Sequence, residues 1–211
     1  MEVITRYFSE FTEEQLQQLG ALKELYQDWN TKINVISRKD MAHFYEHHVL
    51  HSLAIATTFR FTKDMEVMDL GCGGGFPGIP LAIFFPETKF HLVDSINKKL
   101  TVVSEVARAI GLQNVTVQHS RAEEIKGRKF DAVVSRAVAP LKDLWHWSKP
   151  LIRKAPGQTG EDVPHGLVCL KGGDLGQEIF ESGCKPMVWE IESLFREDFF
   201  KEKYLLYVPA R

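Results

Sequence analysis

Five glycines fall in the eight residues from Gly71 to Gly78, inside the stretch DLGCGGGFPGIP (69–80). No regular element continues through such a run. Glycine loses the most backbone freedom on folding, and Pro77 and Pro80 lack an N–H. An apolar run, MEVMDL (65–70), precedes it, and a segment suited to a helix (78–85) follows. The chain must turn sharply here from strand to helix, with bare backbone against a close neighbour.

The rest of the chain sets this turn in a repeating pattern. Short apolar runs at 65–70, 89–94, 114–118, 130–134 and 166–171 read as strands. Helical segments fit between them at about 78–85, 96–110 and 140–153, with another at 174–183. Such alternation predicts a parallel sheet covered on both faces. Two closing strand-like runs, 186–191 and 203–208, predict a terminal pair with one antiparallel member, giving seven strands.

The first sixty residues read differently. Thr12-Glu13-Glu14-Gln15 has the form of a capping box, and Leu16, Leu19, Leu22, Leu25 and Tyr26 follow at helical spacing to about Asn30. Asp40 is expected to cap a second helix. We therefore divide the chain into a helical extension (1–60) and an α/β domain (61–211). Lys154–His165 has the Pro, Gly and polar content of a mobile loop.

Bulk properties exclude some classes. No apolar run approaches a membrane span, and the acidic, polar start MEVITRYFSEFTEEQ does not read as a signal peptide. Cys72, Cys169 and Cys184 have no metal-type spacing, and their odd number argues against a disulfide framework. These features predict a cytoplasmic protein. Net charge is −2, yet residues 94–154 hold 12 Lys/Arg against 6 Asp/Glu. A basic face on a mildly acidic protein is one consequence.

Three ligands compete for the glycine turn. A phosphate-binding P-loop would end in Gly-Lys-Ser/Thr, which is missing. A dinucleotide fits the letters of Gly73 to Gly78, but the turn leaves the strand two residues earlier, at Gly71. S-adenosylmethionine fits a turn that need not hold a pyrophosphate, with Asp69 suited to the ammonium end. Asp94, closing the second strand, would bind ribose hydroxyls of either ligand.

The strings WNTKINVIS (29–37), HHVLHSL (47–53), DLGCGGGFPGIPLAI (69–83), LVDSINKK (92–99), SRAEE (120–124), FDAVVSRAVAPL (130–141) and LKGG (170–173) resemble the RsmG family, also called GidB. The resemblance implies a Rossmann-like class I S-adenosylmethionine-dependent methyltransferase with an N-terminal helical extension. The implied substrate is N7 of guanine 527, in the 530 loop of 16S rRNA, free or in an assembling small subunit. A monomer is expected. By motif, the cofactor contacts fall on Gly71, Phe76, Ala122 with Glu123, and Arg136, with Gly73, Gly75 and Asp94 added from the physical reading. His51 stands where many members carry Asp, and Val35 replaces the usual Leu.

Guanine N7 carries its lone pair in the neutral base, so no proton-transfer residue is assigned. Arg136 and Lys171, after the fourth and fifth strands, are the candidates for orienting the base or cofactor. Lys32, Arg38, His47, His48, Lys98, Lys99 and Arg121 are candidates for RNA phosphates. His43, His47 and His51 share a helical face, but no matching carboxylate or Cys makes them a metal site. Trp145 and Trp147 are expected to pack in the core, with stacking on bases as the alternative. The competing classes are a non-catalytic nucleoside- or RNA-binding protein and an NAD-linked oxidoreductase. The latter would need a hydride-transfer constellation that the sequence does not show.

Overall fold

Strand β1 (Glu66–Leu70) lies between β2 (Lys89–Asp94) and β4 (Ala132–Arg136), parallel to both. This is the point where the strand order reverses. The computed structural model describes residues 1–136, 138–154 and 162–210. With β3 (Val115–His119), β5 (Gly166–Gly172), β6 (Met187–Glu190) and β7 (Lys203–Pro209), the sheet runs β3-β2-β1-β4-β5-β7-β6. β1 to β5 are parallel, and β7 is antiparallel to both β5 and β6. The expected strands are thus present within two residues at each end. Most of the loop expected at Lys154–His165 lies outside the described residues.

Side chains alternate across the sheet, as a period of two requires. Val67, Ala132, Val134, Val168 and Leu170 face one layer, and Met68, Val133, Leu167 and Cys169 face the other. The first layer holds α5 (Gly78–Phe84), α6 (Asn97–Ala109) and the helical extension. The second holds α7 (Leu141–Ser148) and α8 (Gly176–Ser182). Leu19, Leu22 and Tyr26 of the extension are buried in the same cluster as Ile79 and Val103. Each such buried side chain contributes about 1.5–3 kcal/mol, so the extension and the sheet are stabilised by one core.

The extension begins with a single turn, α1 (Glu2–Thr5), followed by α2 (Glu13–Asn30). Thr12 and Gln15 close the expected capping box in both directions. The second helix differs from expectation. Ser37, not Asp40, is the N-cap of α3 (Arg38–Ala42); its hydroxyl accepts the Asp40 N–H at 3.1 Å and donates to the Asp40 carboxylate. The chain then runs through a π-helical turn (Tyr45–Leu50) into α4 (His51–Leu53) and a 3-10 turn (Ala54–Thr57). Among the described residues no helix is long and apolar enough to cross a membrane.

Candidate active site

The parallel strands all end on one edge of the sheet, and the glycine turn leaves β1 there. The Gly71 and Cys72 amides donate to the Val93 carbonyl, which ties the turn to β2. Cys72 accepts from Gly75 and Phe76, closing the turn on itself. Tyr26, fully buried on α2, donates its hydroxyl to the Gly74 carbonyl at 2.5 Å. The turn is therefore fixed from the strand side and from the extension.

The glycines have different tasks. Gly73 holds φ +56 in the left-handed region, and a Cβ there would meet nothing within 4 Å. It faces a cleft. Gly75 does not: a Cβ on it would lie 2.7 Å from Ile79 and 3.1 Å from the Tyr26 hydroxyl. The expectation that Gly75 meets a ligand is corrected on this ground, since it faces the protein interior. A Cβ on Gly71 would run into the Val138 side chain at 2.6 Å.

Two adjoining cavities open at this edge. One, about 310 Å³, is lined by Leu70, Val93, Ala122, Glu123 and Trp147 among others. The second, about 390 Å³, is lined by Gly73, Gly74, Phe76, Lys99, His48 and Arg136 among others. Gly71, Asp94, Ser95 and Val138 belong to both. The first is the more apolar, with Trp147 among its lining and Arg121 and Glu123 also on its wall, while the second is the more polar, with Lys99 and Arg136 on its wall. Such a pair suits an elongated ligand with a flat ring at one end and charged groups at the other.

Asp94 stands at the junction, 7% exposed. Its carboxylate accepts from the Gly73 N–H through Oδ2 and from the Ile96 N–H through Oδ1, each at 2.8 Å. It thus shapes the turn as well as lining the cavities. Asp69 is fully buried; Oδ2 accepts the Gly78 N–H at 2.7 Å and Oδ1 has no partner. Burial raises its carboxyl to about 7, an effect that the Gly78 amide and Arg136 oppose.

Arg136, at the end of β4, crosses to the extension. Its Nη1 donates to the His47 carbonyl at 3.0 Å and its Nη2 to His48 Nδ1 at 2.9 Å. The guanidinium lies 5.2 Å from the centre of the Phe76 ring. Burial lowers its pKa to about 10, which leaves it charged at neutral pH. Burial and the neighbouring Arg136 charge push His48 down to about 3, so its imidazole is neutral.

The other sequence candidates divide. Lys99 lines the second cavity, whereas Lys98 is exposed outside both. Ala122 is buried and Glu123 exposed, both on the wall of the first cavity. Lys171 does not reach either. It is 7% exposed, donating to the Ala139 carbonyl at 2.5 Å and pairing with Glu178 at 2.6 Å. Its assignment to substrate is corrected to a structural one, because burial demands this pairing. Lys32 pairs with Asp28 at 2.9 Å and lies over Trp29. His47 is stacked between His43 and Phe199 and bonded to Asp40, so it is not free for a phosphate. Neither is His48, whose Nδ1 is taken and whose Nε2 is buried. His51 is buried against the edges of Phe199 and Phe200. Among the described residues no group of three His, Cys, Asp or Glu could hold a metal ion.

Val35, Ser95 and Val138 were not among the site candidates, and Trp147, for which core packing was preferred to stacking on a base, lines the first cavity. Val138 could have been found: it lies two residues past Arg136, at the carboxyl edge where ligands bind in such sheets.

The family model GidB, described as rRNA small subunit methyltransferase G, matches residues 15–181. The chain belongs to the GidB family. Ribosomal RNA small subunit methyltransferase G of Phocaeicola vulgatus is 57% identical over 208 residues, covering 99% of this chain and 98% of that protein. The protein of the same name from Cytophaga hutchinsonii is 46% identical over 210 residues, covering both chains fully. Among solved structures, a SAM-dependent methyltransferase from Aquifex aeolicus superposes with a TM-score of 0.57 at 15% identity, covering 83% of this GidB chain and 100% of its own. MtNAS in complex with MTA and tNA gives 0.60 at 14% identity, covering 93% and 74%. At these identities the likeness is one of fold: the GidB chain carries the Rossmann-like sheet of that class.

Proposed function

We propose that this chain transfers a methyl group from S-adenosylmethionine to N7 of a guanine in the 530 loop of 16S rRNA, acting in the cytoplasm as a monomer. Membership of the GidB family supports the reaction class. The observation that carries the site assignment is the paired cavity where the strand order reverses, with Gly73, Asp94 and Arg136 on its walls. Its residues fit the cofactor along the turn, where the missing Cβ of Gly73 leaves open space. Asp69, expected at the ammonium end, is corrected to a structural role: it is fully buried, lines neither cavity and holds the Gly78 amide.

The cofactor supplies an electrophilic methyl group on a sulfonium. Leu70, Val93, Ala122 and Trp147 would receive its adenine, and the Glu123 and Asp94 carboxylates would accept from its ribose hydroxyls and from the adenine amino group. Gly71, Gly73, Phe76 and Arg136 would hold the methionyl end. The neutral base already has its N7 lone pair, so no side chain must remove a proton. The protein's contribution is alignment, which supplies several kcal/mol of barrier reduction. Lys99 on the cavity wall offers a cation to the incoming RNA.

Calorimetry with S-adenosylmethionine and with NADH tests the cofactor. Binding of NADH alone would sink the reading. Mapping N7-methylguanine on 16S rRNA from a deletion strain, with and without this gene, tests the substrate; an unchanged map would remove the rRNA assignment.

A further inference from the structure

Arg136 is half-buried, yet no carboxylate pairs with it among the described residues. A buried guanidinium normally finds an anion or a full set of acceptors. Two of its five N–H groups are satisfied, one by the His47 carbonyl and one by His48 Nδ1. Both acceptors come from consecutive residues of one π-helical turn, Tyr45–Leu50. A π turn displaces carbonyls from regular helical spacing and is frequent at functional sites. Arginine can only donate, so His48 Nδ1 must be the acceptor and the ring proton sits on Nε2. The ring itself is braced by Phe76 at 5.0 Å and Phe44 at 6.0 Å between centroids.

We propose that His48 is a positioning residue for Arg136: its fixed imidazole acceptor, with the His47 carbonyl, aims the remaining N–H groups of the guanidinium into the second cavity. This rests on the reading above that Arg136 meets the methionyl end of the cofactor. A histidine acceptor holds the guanidinium without neutralising it. A carboxylate in the same place would hold it and cancel the charge that the cavity presents.

The test compares His48→Asn, His48→Gln, His48→Leu and Arg136→Ala in the full chain, measuring S-adenosylmethionine affinity by calorimetry and stability by thermal unfolding. Asn sets an oxygen near the place of Nδ1, whereas Gln sets it one carbon further out and Leu has none. We expect His48→Asn to bind within about threefold of the parent, and His48→Leu and His48→Gln to bind about tenfold or more weakly, the usual weight of a hydrogen bond to a charged group. Adding His48→Leu to Arg136→Ala should then change affinity less than about twofold, since positioning acts only through Arg136. Parent-like affinity of His48→Leu, or an equal loss in both backgrounds, overturns the proposal. If His48→Leu does not fold, equal affinities of the Asn and Gln variants overturn it. Normal binding by Arg136→Ala would instead overturn the assignment of Arg136 to the cofactor.

Discussion

Gly78 is pressed against Asp69: its amide donates to Oδ2 at 2.7 Å, and a Cβ on it would sit 2.7 Å from that same oxygen and 2.8 Å from Leu92. Gly73, five residues earlier, has nothing in the way. The two glycines should therefore fail differently. Gly78→Ala forces backbone and core to shift, and we expect a loss of about 1–3 kcal/mol in stability by chemical denaturation. Gly73→Val costs about 1–2 kcal/mol for its left-handed backbone but fills the cleft, so calorimetry should register lost cofactor binding in a protein that still folds. Tight binding by folded Gly73→Val would remove the turn from the site.

Asp69 makes stability depend on pH. Its carboxyl is near 7 when folded, against an ordinary value of 3.8. Its folded value is raised, so its stabilising contribution is complete below 3.8 and is lost as pH rises to about 7. His48, lowered from 6.5 to about 3, runs the other way: its contribution is complete above 6.5 and is lost as pH falls toward 3. The two slopes oppose each other in the parent. Asp69→Asn keeps an acceptor for Gly78 and deletes one slope. Its unfolding free energy should gain on the parent's as pH climbs from about 4 to about 7, by an amount on the order of a few kcal/mol. A difference that stays flat across this window would contradict the buried carboxyl.

Lys171 pins the segment after β4 to α8, and Glu178 also accepts the Leu141 N–H at 2.7 Å at the start of α7. Lys171→Met should lower stability by about 3 kcal/mol, because it leaves a partly buried carboxylate unpaired. Lys171→Met with Glu178→Gln should recover part of that loss. Cofactor affinity should stay within about threefold, since Lys171 lines neither cavity. A drop in affinity without a drop in denaturation midpoint would return Lys171 to the site.

Lys98 and Lys99 are neighbours with different outlooks. Only Lys99 lines the second cavity. Lys99→Glu should weaken binding to 16S rRNA and reduce the salt slope by about 0.7 per lost phosphate contact. Lys98→Glu should change it less. Filter binding at several salt concentrations decides the order, and equal slopes for both would place the RNA path elsewhere.

The strands and the crossover helices were legible because each is a local pattern: β2 ends at Asp94 and α6 starts at Asn97, close to where the letters change period. The lining of the cavities was legible at and just past the strand ends, as with Gly73, Asp94 and Arg136. Legibility failed where burial decides. Lys171 and His48 read as available cations, and only packing shows that one is paired and the other neutral. The second helix of the extension failed for a local reason. Ser37 competes with Asp40 for the same cap, and the π turn that follows has no simple period. The contact from Tyr26 to Gly74 spans 48 residues, and no spacing rule reaches that far.

Strand β7 fills the slot between β5 and β6, matching all seven residues of β5 from Gly166↔Pro209 to Gly172↔Lys203. A central strand of the sheet thus waits for one of the last segments of the chain. Any product that stops short of Lys203 presents Leu167, Val168, Cys169 and Leu170 along an open ladder of amides and carbonyls, a template for pairing with other chains. Premature termination near the end of the message would then yield aggregates rather than a slightly shortened enzyme, although the glycine turn and both cavity walls lie wholly upstream of the break.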